Sequence, residues 1–472
     1  MSATLAIIIS SLIILSIGVG ISLWIGRRQK DIDDWNVGGR SLPIYVVAGT
    51  QFATGMGGGV LVAHVGIGYS AGWSAVTYNL LYSLGIVILV LFAGWLHKHK
   101  FSTLPDIFKR LYGENKLMMT IATLLAIIVP FGWLCTQLVA FGHLYTQITG
   151  LSFTLLVVIF AAISLLFVLP GGLASVAWTD FVFGCFMLLL AIVSGIYMLN
   201  MAGGWSGIVS NVPENIVSFP EGLGAVGLAT IILWSFAIFP GALTNQMSYQ
   251  RIYSSKDPKS ARRGFYIAAV AGVISGTWAS FMGIAIRSQN PGLENPELAS
   301  GWFLTQIPTW FLAVYSGFIV ATIMSTVSSA IQSVVVNITH DIYKSYINPN
   351  VNDRTLLQSS RILSVIVVII AVALSLYYPQ ALGWLQATYA YSAAGLLVPI
   401  FLGIALRKTR FNSAKGAMGG IISGIIGAAI AQIIGTSIPY AVYGVVLSLL
   451  GFIVFSFIYK ASPDEEKKVS AL

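Results

Sequence analysis

The chain has 472 residues, of which 57% are hydrophobic and 9% charged, with a mean hydropathy of +0.85. A water-soluble protein of this size has no way to hide so much apolar surface, so the composition excludes a soluble globular enzyme and implies a polytopic membrane protein. The net charge of +9 would suggest nucleic acid in a soluble chain; here the basic residues fall in short loops, where they set orientation in a bilayer.

Apolar runs of about 20 residues, enough to span a bilayer, occur near 4–26, 42–65, 73–97, 117–148, 151–170, 175–201, 225–248, 264–286, 308–338, 358–379, 382–406, 415–436 and 439–460. The first is followed by Arg27, Arg28 and Lys30, which marks it as a retained helix rather than a cleaved signal peptide. Thirteen spans, with the N-terminus outside and the C-terminus in the cytoplasm, place 24 of the 25 basic residues inside and leave Arg287 alone outside. That asymmetry is the positive-inside rule, to which the uncharged loop near 170–174 contributes nothing. The expected location is the cell (plasma or inner) membrane, with lipid as the surrounding partner.

Several polar features invite functional readings. The stretch HKHK at 97–100 has metal-binding residue types but lies at a helix end, where it serves as an anchor. Cys135 and Cys185 fall in separate apolar runs and form neither a disulfide framework nor a metal spacing. His64 and His143 are isolated and read as packed polar residues. Asp180, in VAWTDFVFG, sits just inside a span, where a carboxylate is expensive and marks a functional site by default. No Lys or Arg is expected to be buried.

Two spans carry helix-breaking residues. GMGGG interrupts the second at 55–59, and Pro240-Gly241 falls inside LWSFAIFPGALTNQ. If the first span is set aside, each break lies in the first helix of a group of five. Breaks at corresponding positions of two halves point to an inverted-repeat transporter, and non-helical backbone at membrane depth survives only where it lines a cavity or binds a ligand. The expected organisation is an extra N-terminal helix and loop (1–41), a first five-helix repeat (42–201), an outside loop (202–224), a second repeat (225–406), and two C-terminal helices with a short tail (407–472).

In VATIMSTVSSAIQS, Ser325, Ser328 and Ser329 stand at i, i+3 and i+4 and share a helix face, with Thr326 beside Ser325. Hydroxyl and carbonyl oxygens suit a hard cation such as sodium. Single membrane hydroxyls more often bond the carbonyl one turn back or join helices.

The segments DDWNVGGRSLP (33–43), GIGYSAG, GGLASVAWTD, NQMSYQR, ATIMSTVSS and DIYKSYI (341–347) occur in this order across nearly the whole chain. In them the chain resembles the sodium:solute symporter family, which includes bacterial sugar, proline and sialic-acid symporters. The resemblance implies sodium as the transported ion and a small organic solute as its partner. It places one sodium site on the carbonyls of Ala53 and Met56 with Thr322, Ser325 and Thr326. It places a second, found in some relatives, on Asp180, Ser325, Ser328 and Ser329, and hence implies two sodium ions per solute.

For the solute, Gln386, Asn245 and Tyr78 match positions that hold sugar in relatives. Asn79 stands where a glutamate would be, Val60 and Trp133 replace amides, and Met247 lies near the aromatic inner gate. Gly55 replaces the acidic residue of proline-type relatives, and no buried arginine of the sialic-acid type is expected. A carboxylate would then be held by backbone N–H groups of Gly57, Gly58 and Gly59, at the start of a half-helix. Gln51, Tyr78, Asn79, Gln137, Asn245 and Gln386, with Trp133 and Trp234 as apolar walls, suit a small neutral, zwitterionic or monocarboxylate solute. The two tryptophans are equally read as packing residues. A one-sodium sugar or amino-acid symporter, a channel and a membrane enzyme are the competing readings. The enzyme reading lacks a His/Cys/Asp cluster. A solute sensor is a further one, but it would carry a longer signalling region than the dozen or so residues after the last span.

Overall fold

The computed structural model describes residues 3–27, 32–168 and 172–460. Arg28, Lys30, Lys467, Lys468 and part of the uncharged 170–174 loop lie outside these. Apart from one parallel bridge between Leu42 and Ser255, every regular element among the described residues is helical. Eleven helices are long and apolar enough to cross a membrane, and a bent pair makes twelve.

In chain order, α1 is Ala3–Gly26, and the bent pair is α2 (Ile44–Gly55) and α3 (Gly59–Ala71). Next come α4 (Ser74–Lys98), the eight-residue loop helix α5 (Pro105–Tyr112) and α6 (Lys116–Thr149). The run expected near 151–170 forms the 16-residue helix α7 (Phe153–Val168), shorter than the other spans. α8 (Leu173–Met201), α9 (Leu228–Leu243), α10 (Gln246–Ser254) and α11 (Pro258–Gln289) follow. The chain continues through α12 (Thr309–Ile347), α13 (Asp353–Tyr377), α14 (Ala381–Leu406), α15 (Ala414–Ile434) and α16 (Tyr440–Ile458).

Polar caps start several of these helices. Asn115, Asp257, Asn352 and Ser413 each accept a hydrogen bond from the backbone N–H three residues on, satisfying a donor that the first turn leaves free. Large apolar side chains such as Leu12, Ile192, Ile369 and Ile430 are more than half exposed on the outer helices, as a surface in contact with lipid requires.

At the centre stands α12, in which every residue from Tyr315 to Val336 is buried. It packs against α1, α6 and α8, while α2 packs against α8 and α11. The break in α2–α3 is therefore held beside the hydroxyl face of α12.

That break bends the chain by 52°. α2 ends at Gly55, Met56 closes it by donating its N–H to Phe52 and Ala53, and α3 begins with a π-helical turn at Gly59–His64. The second break differs from expectation. Pro240 and Gly241 lie within α9, and the interruption comes at Thr244, with Asn245 capping α10 through a 3.0 Å bond from Met247 N–H. Helices of a membrane bundle tolerate an internal proline because neighbouring groups can satisfy the freed carbonyl, so the discontinuity falls instead where the asparagine caps.

Candidate functional site

Asp180 is fully buried in α8. One carboxylate oxygen accepts a 2.6 Å hydrogen bond from Ser325 Oγ. The other accepts from Thr50 Oγ1 at 2.6 Å, Thr54 Oγ1 at 3.2 Å and Ser329 Oγ at 3.3 Å. Hydroxyls from α2 and α12 thus converge on a carboxylate from α8. Thr50 and Thr54 are i and i+4 on α2, as Ser325 and Ser329 are on α12, so each helix presents one face to the acid.

The expectation that no basic side chain is buried is overturned here. Arg251, in α10, has no exposed surface, and its Nη2 stands 3.5 Å from Asp180 Oδ2. The same nitrogen donates to Ser329 Oγ at 2.6 Å and Thr54 Oγ1 at 2.7 Å, and Nη1 donates to the Met247 carbonyl at 2.9 Å. The span continues past Thr244 as α10, which packs against α2 and α12 and so carries Arg251 from an apparent loop position to the buried acid. A buried carboxylate without a partner would be costly, so the arginine supplies its counter-charge.

The two groups of hydroxyls differ in orientation. Ser325 and Ser329 turn to Asp180, whereas Ser328 Oγ donates to the Ser325 carbonyl at 3.0 Å and Thr322 Oγ1 to the Phe318 carbonyl at 2.7 Å. Thr326 Oγ1 crosses to α2 and donates to the Thr54 carbonyl at 3.0 Å. The Ala53 carbonyl accepts the Met56 N–H at 3.2 Å. Ala53, Met56, Thr322, Ser325 and Thr326 are all buried along this α2–α12 contact.

Beside the hydroxyl cluster a small cavity of about 20 Å³ is bounded by Gly55, Gly57, Gly59 and Val60 at the break. Tyr78, Asn79, Trp133 and Gln137 complete much of its wall. His64, Tyr82, Leu385 and Tyr389 also line it and were not singled out as solute contacts. Tyr82 follows Tyr78 by one helical turn, a spacing that signals a shared face. The rings of Tyr82, Trp133 and Tyr389 lie 6.3 Å from one another, and Trp133 Nε1 donates to Tyr389 Oη at 3.1 Å.

Other expected contacts stand back from the cavity wall. Gln51 donates to Tyr82 Oη and Ser248 Oγ, both at 3.3 Å, beneath the aromatic trio. Trp234 packs edge-on against Tyr78, 5.2 Å between centroids. Asn245 is the α10 cap, Met247 is buried behind it, and Gln386 is half-buried outside the wall. Gly58 N–H is donated to Gln137 Oε1 at 2.5 Å, so one of the three glycine donors is already engaged.

Asn79 Nδ2 donates to both His64 Nδ1 (3.0 Å) and the Ala75 carbonyl (2.8 Å). An amide nitrogen is a donor, so His64 Nδ1 accepts and its proton resides on Nε2. That Nε2 and Tyr78 Oη are buried without partners. His143, the other isolated histidine, is held near Pro379 O (3.1 Å) and Glu297 (3.5 Å), away from the cavity.

A membrane bundle with one helix broken beside a buried acid, a hydroxyl cluster and a small polar cavity is built as an ion-coupled transporter. The chain belongs to the sodium:solute symporter family, whose model matches residues 35–424. It is accordingly a sodium-coupled membrane transporter and not an enzyme. It is 24% identical over 500 residues to a sodium/glucose cotransporter of Vibrio parahaemolyticus, covering 97% of this chain and 91% of that protein. It is 27% identical over 468 residues to a sodium/proline symporter of Salmonella typhimurium, with coverage of 94% and 91%. Among solved structures, the fold matches a sodium-coupled sialic acid symporter in a substrate-bound outward-open state (TM-score 0.81, 19% identity, 96% and 98% coverage). It also matches the nucleobase-cation-symport-1 family transporter Mhp1 (TM-score 0.60, 16% identity, 93% and 98% coverage).

Proposed function

We propose that this protein imports a small neutral, zwitterionic or monocarboxylate solute together with two sodium ions by alternating access. The observation that carries the reading is the 2.6 Å bond between Ser325 and Asp180, which joins the hydroxyl face of α12 to the carboxylate of α8 beside the α2–α3 break. Ser325 then serves two adjacent sodium positions. One is formed with Ala53, Met56, Thr322 and Thr326; the other with Asp180, Ser328 and Ser329. In the first, Thr322 must turn from the Phe318 carbonyl; in the second, Ser328 must turn from the Ser325 carbonyl. Each is a single hydroxyl rotation.

At Asp180 the arriving sodium shares the carboxylate with Arg251, the fixed charge that holds the acid when sodium is absent. The coupling energy is adequate. One charge gains roughly 2.3 kcal/mol per 100 mV, and a tenfold gradient adds about 1.4 kcal/mol. Two ions therefore sustain on the order of 10⁵-fold accumulation of a neutral solute.

The cavity supports the solute class. Among the described residues no Lys, Arg, Asp or Glu stands in its wall, and Arg251 is engaged elsewhere. The unpartnered His64 Nε2–H and Tyr78 hydroxyl are two donors that a carboxylate or carbonyl oxygen would satisfy, while the aromatic trio accommodates an apolar end. We further read the thirteen helical runs, including the short α7, as thirteen crossings around repeats at 42–201 and 225–406. The N-terminus lies outside and the C-terminus in the cytoplasm.

A solute-uptake screen in proteoliposomes, with and without an inward sodium gradient, tests this function. Uptake of a small neutral or monocarboxylate solute that collapses without the gradient is expected; equal accumulation without sodium would rule the coupling out.

A further inference from the structure

The end of the bundle that carries the basic loops holds a second polar centre, remote from the Asp180 cluster. It brings together Asp106 of the loop helix α5 with His340 and Asp341 of α12, side chains far apart in sequence. One ligand atom from each lies within 4.8 Å of the others.

The carboxylate of Asp341 is almost fully buried, at 2% exposure. Its Oδ1 accepts a 2.7 Å bond from Thr103 Oγ1 and lies 2.9 Å from His340 Nδ1. Its Oδ2 is buried with no partner, in the wall of a polar pocket that Asp106 and His340 also line. Asp106 is held in place by the Ser102 and Thr103 N–H groups, both donating to its Oδ2. The pocket's basic side chains are Lys100, Lys109, Arg110 and Lys344; Lys109 is paired with Glu114, and none of the four hydrogen-bonds Asp341 Oδ2. A buried carboxylate oxygen that lacks a donor, beside an imidazole and a second carboxylate, is an incomplete set waiting for a compact cation.

We propose that Asp106, His340 and Asp341 form a site for a divalent transition-metal ion that ties α5 to the end of α12. One imidazole nitrogen and two carboxylate oxygens are the donor types of zinc and of cobalt or nickel in its place. Ligand bonds of about 2.0–2.2 Å put neighbouring donors some 3.4 Å apart in a tetrahedral shell, so the present donors, all within 4.8 Å of one another, need draw in by about 1.4 Å at most. Water completes the shell from the open side of the pocket.

Asp341 and His340 sit in the π-helical stretch Asn337–Ile347 that continues the helix bearing Thr322, Ser325 and Ser329. A bound metal would therefore clamp the central helix to the loop between α4 and α6. On the transport reading, this predicts that the ion slows solute turnover when supplied from that side. The binding test needs neither solute nor sodium, so it fails or succeeds independently of that reading.

The experiment is a cobalt titration of the purified full-length protein with any affinity tag removed, followed by visible absorption, with zinc then added to displace the cobalt. One cobalt per chain, and a zinc-induced rise in melting temperature, are expected. Asp106→Asn and His340→Ala should each weaken binding at least tenfold and abolish the thermal shift. His99→Ala, whose ring bonds the Trp95 carbonyl at the pocket rim, should bind as the parent does. If His340→Ala does not fold, His340→Gln replaces it. Absence of stoichiometric cobalt, binding undiminished in both cluster variants, or equal loss in His99→Ala would overturn the site.

Discussion

Arg251 and Asp180 face one another across 3.5 Å with neither side chain exposed, although the arginine belongs to a helix that begins only after the Thr244–Asn245 discontinuity. The arginine's Nη2 donates to Thr54 and Ser329, two hydroxyls that also donate to the acid. The guanidinium thus compensates the carboxylate at one remove, leaving the hydroxyl oxygens to rotate toward a sodium ion.

Removing this charge should make the protein depend on sodium for stability. Breaking a buried pair costs roughly 3–5 kcal/mol, so Arg251→Gln in sodium-free buffer should melt several degrees below the parent. Sodium, but not potassium or choline, should restore most of the loss. Without the neighbouring positive charge the half-saturating sodium concentration should fall and release should slow. Thermal unfolding in matched sodium and choline buffers checks the first effect; a sodium-independent melting deficit would assign Arg251 a purely structural role.

Asp180→Asn keeps the shape of the side chain and removes its charge. The Hill coefficient for sodium in uptake assays is expected to fall toward one, with the remaining site on Ala53, Met56, Thr322, Ser325 and Thr326 intact. Unchanged sodium kinetics would place Asp180 outside the coupling mechanism.

Ser325→Ala should be more damaging than Ser328→Ala. Ser325 donates directly to Asp180, whereas Ser328 bonds its own helix. A hydrogen bond to a charged group contributes about 1.5–3 kcal/mol, which corresponds to a 10- to 100-fold rise in the half-saturating sodium concentration. Sodium titration of uptake in both variants gives the comparison directly.

The glycines at the break are not equivalent. A Cβ on Gly57 would overlap Thr326 Oγ1 and come within 2.7 Å of Gln137 Oε1, whereas on Gly55 it would meet Tyr82 at an ordinary 3.8 Å. Overpacking costs about 1–3 kcal/mol. Gly57→Ala should therefore reduce uptake at least tenfold while Gly55→Ala retains most of it, both at normal membrane levels. Equal activity of the two would separate the close α2–α12 approach from transport.

Much of this architecture is legible in one dimension because a membrane helix declares itself by a continuous apolar run, and each expected run has a helical counterpart among the described residues. The α2 break is equally plain, since four glycines in five positions weaken any helix. The matching interruption falls four residues beyond Pro240, at Thr244. Pro240 is the conspicuous breaker, but Asn245 supplies the cap that actually starts the next helix. A basic residue beyond an apolar run reads as solvated, and Arg251 is buried only because α10 extends the span past Thr244 and packs against α2 and α12. Asp180 and the 325–329 hydroxyls could be picked out individually, yet Thr50 and Thr54 join them only through the packing of α2 against α8 and α12. Tyr389 and Asp341 are unreadable for the same reason: Trp133 and Thr103, which bond them, lie in distant segments.

The most direct test of the two-sodium centre is to count sodium ions bound to the purified protein with radioactive sodium, before any solute is known. Two saturable ions per chain are expected for the parent and one for Asp180→Asn. The same count in both proteins would contradict the assignment of a transported sodium to Asp180.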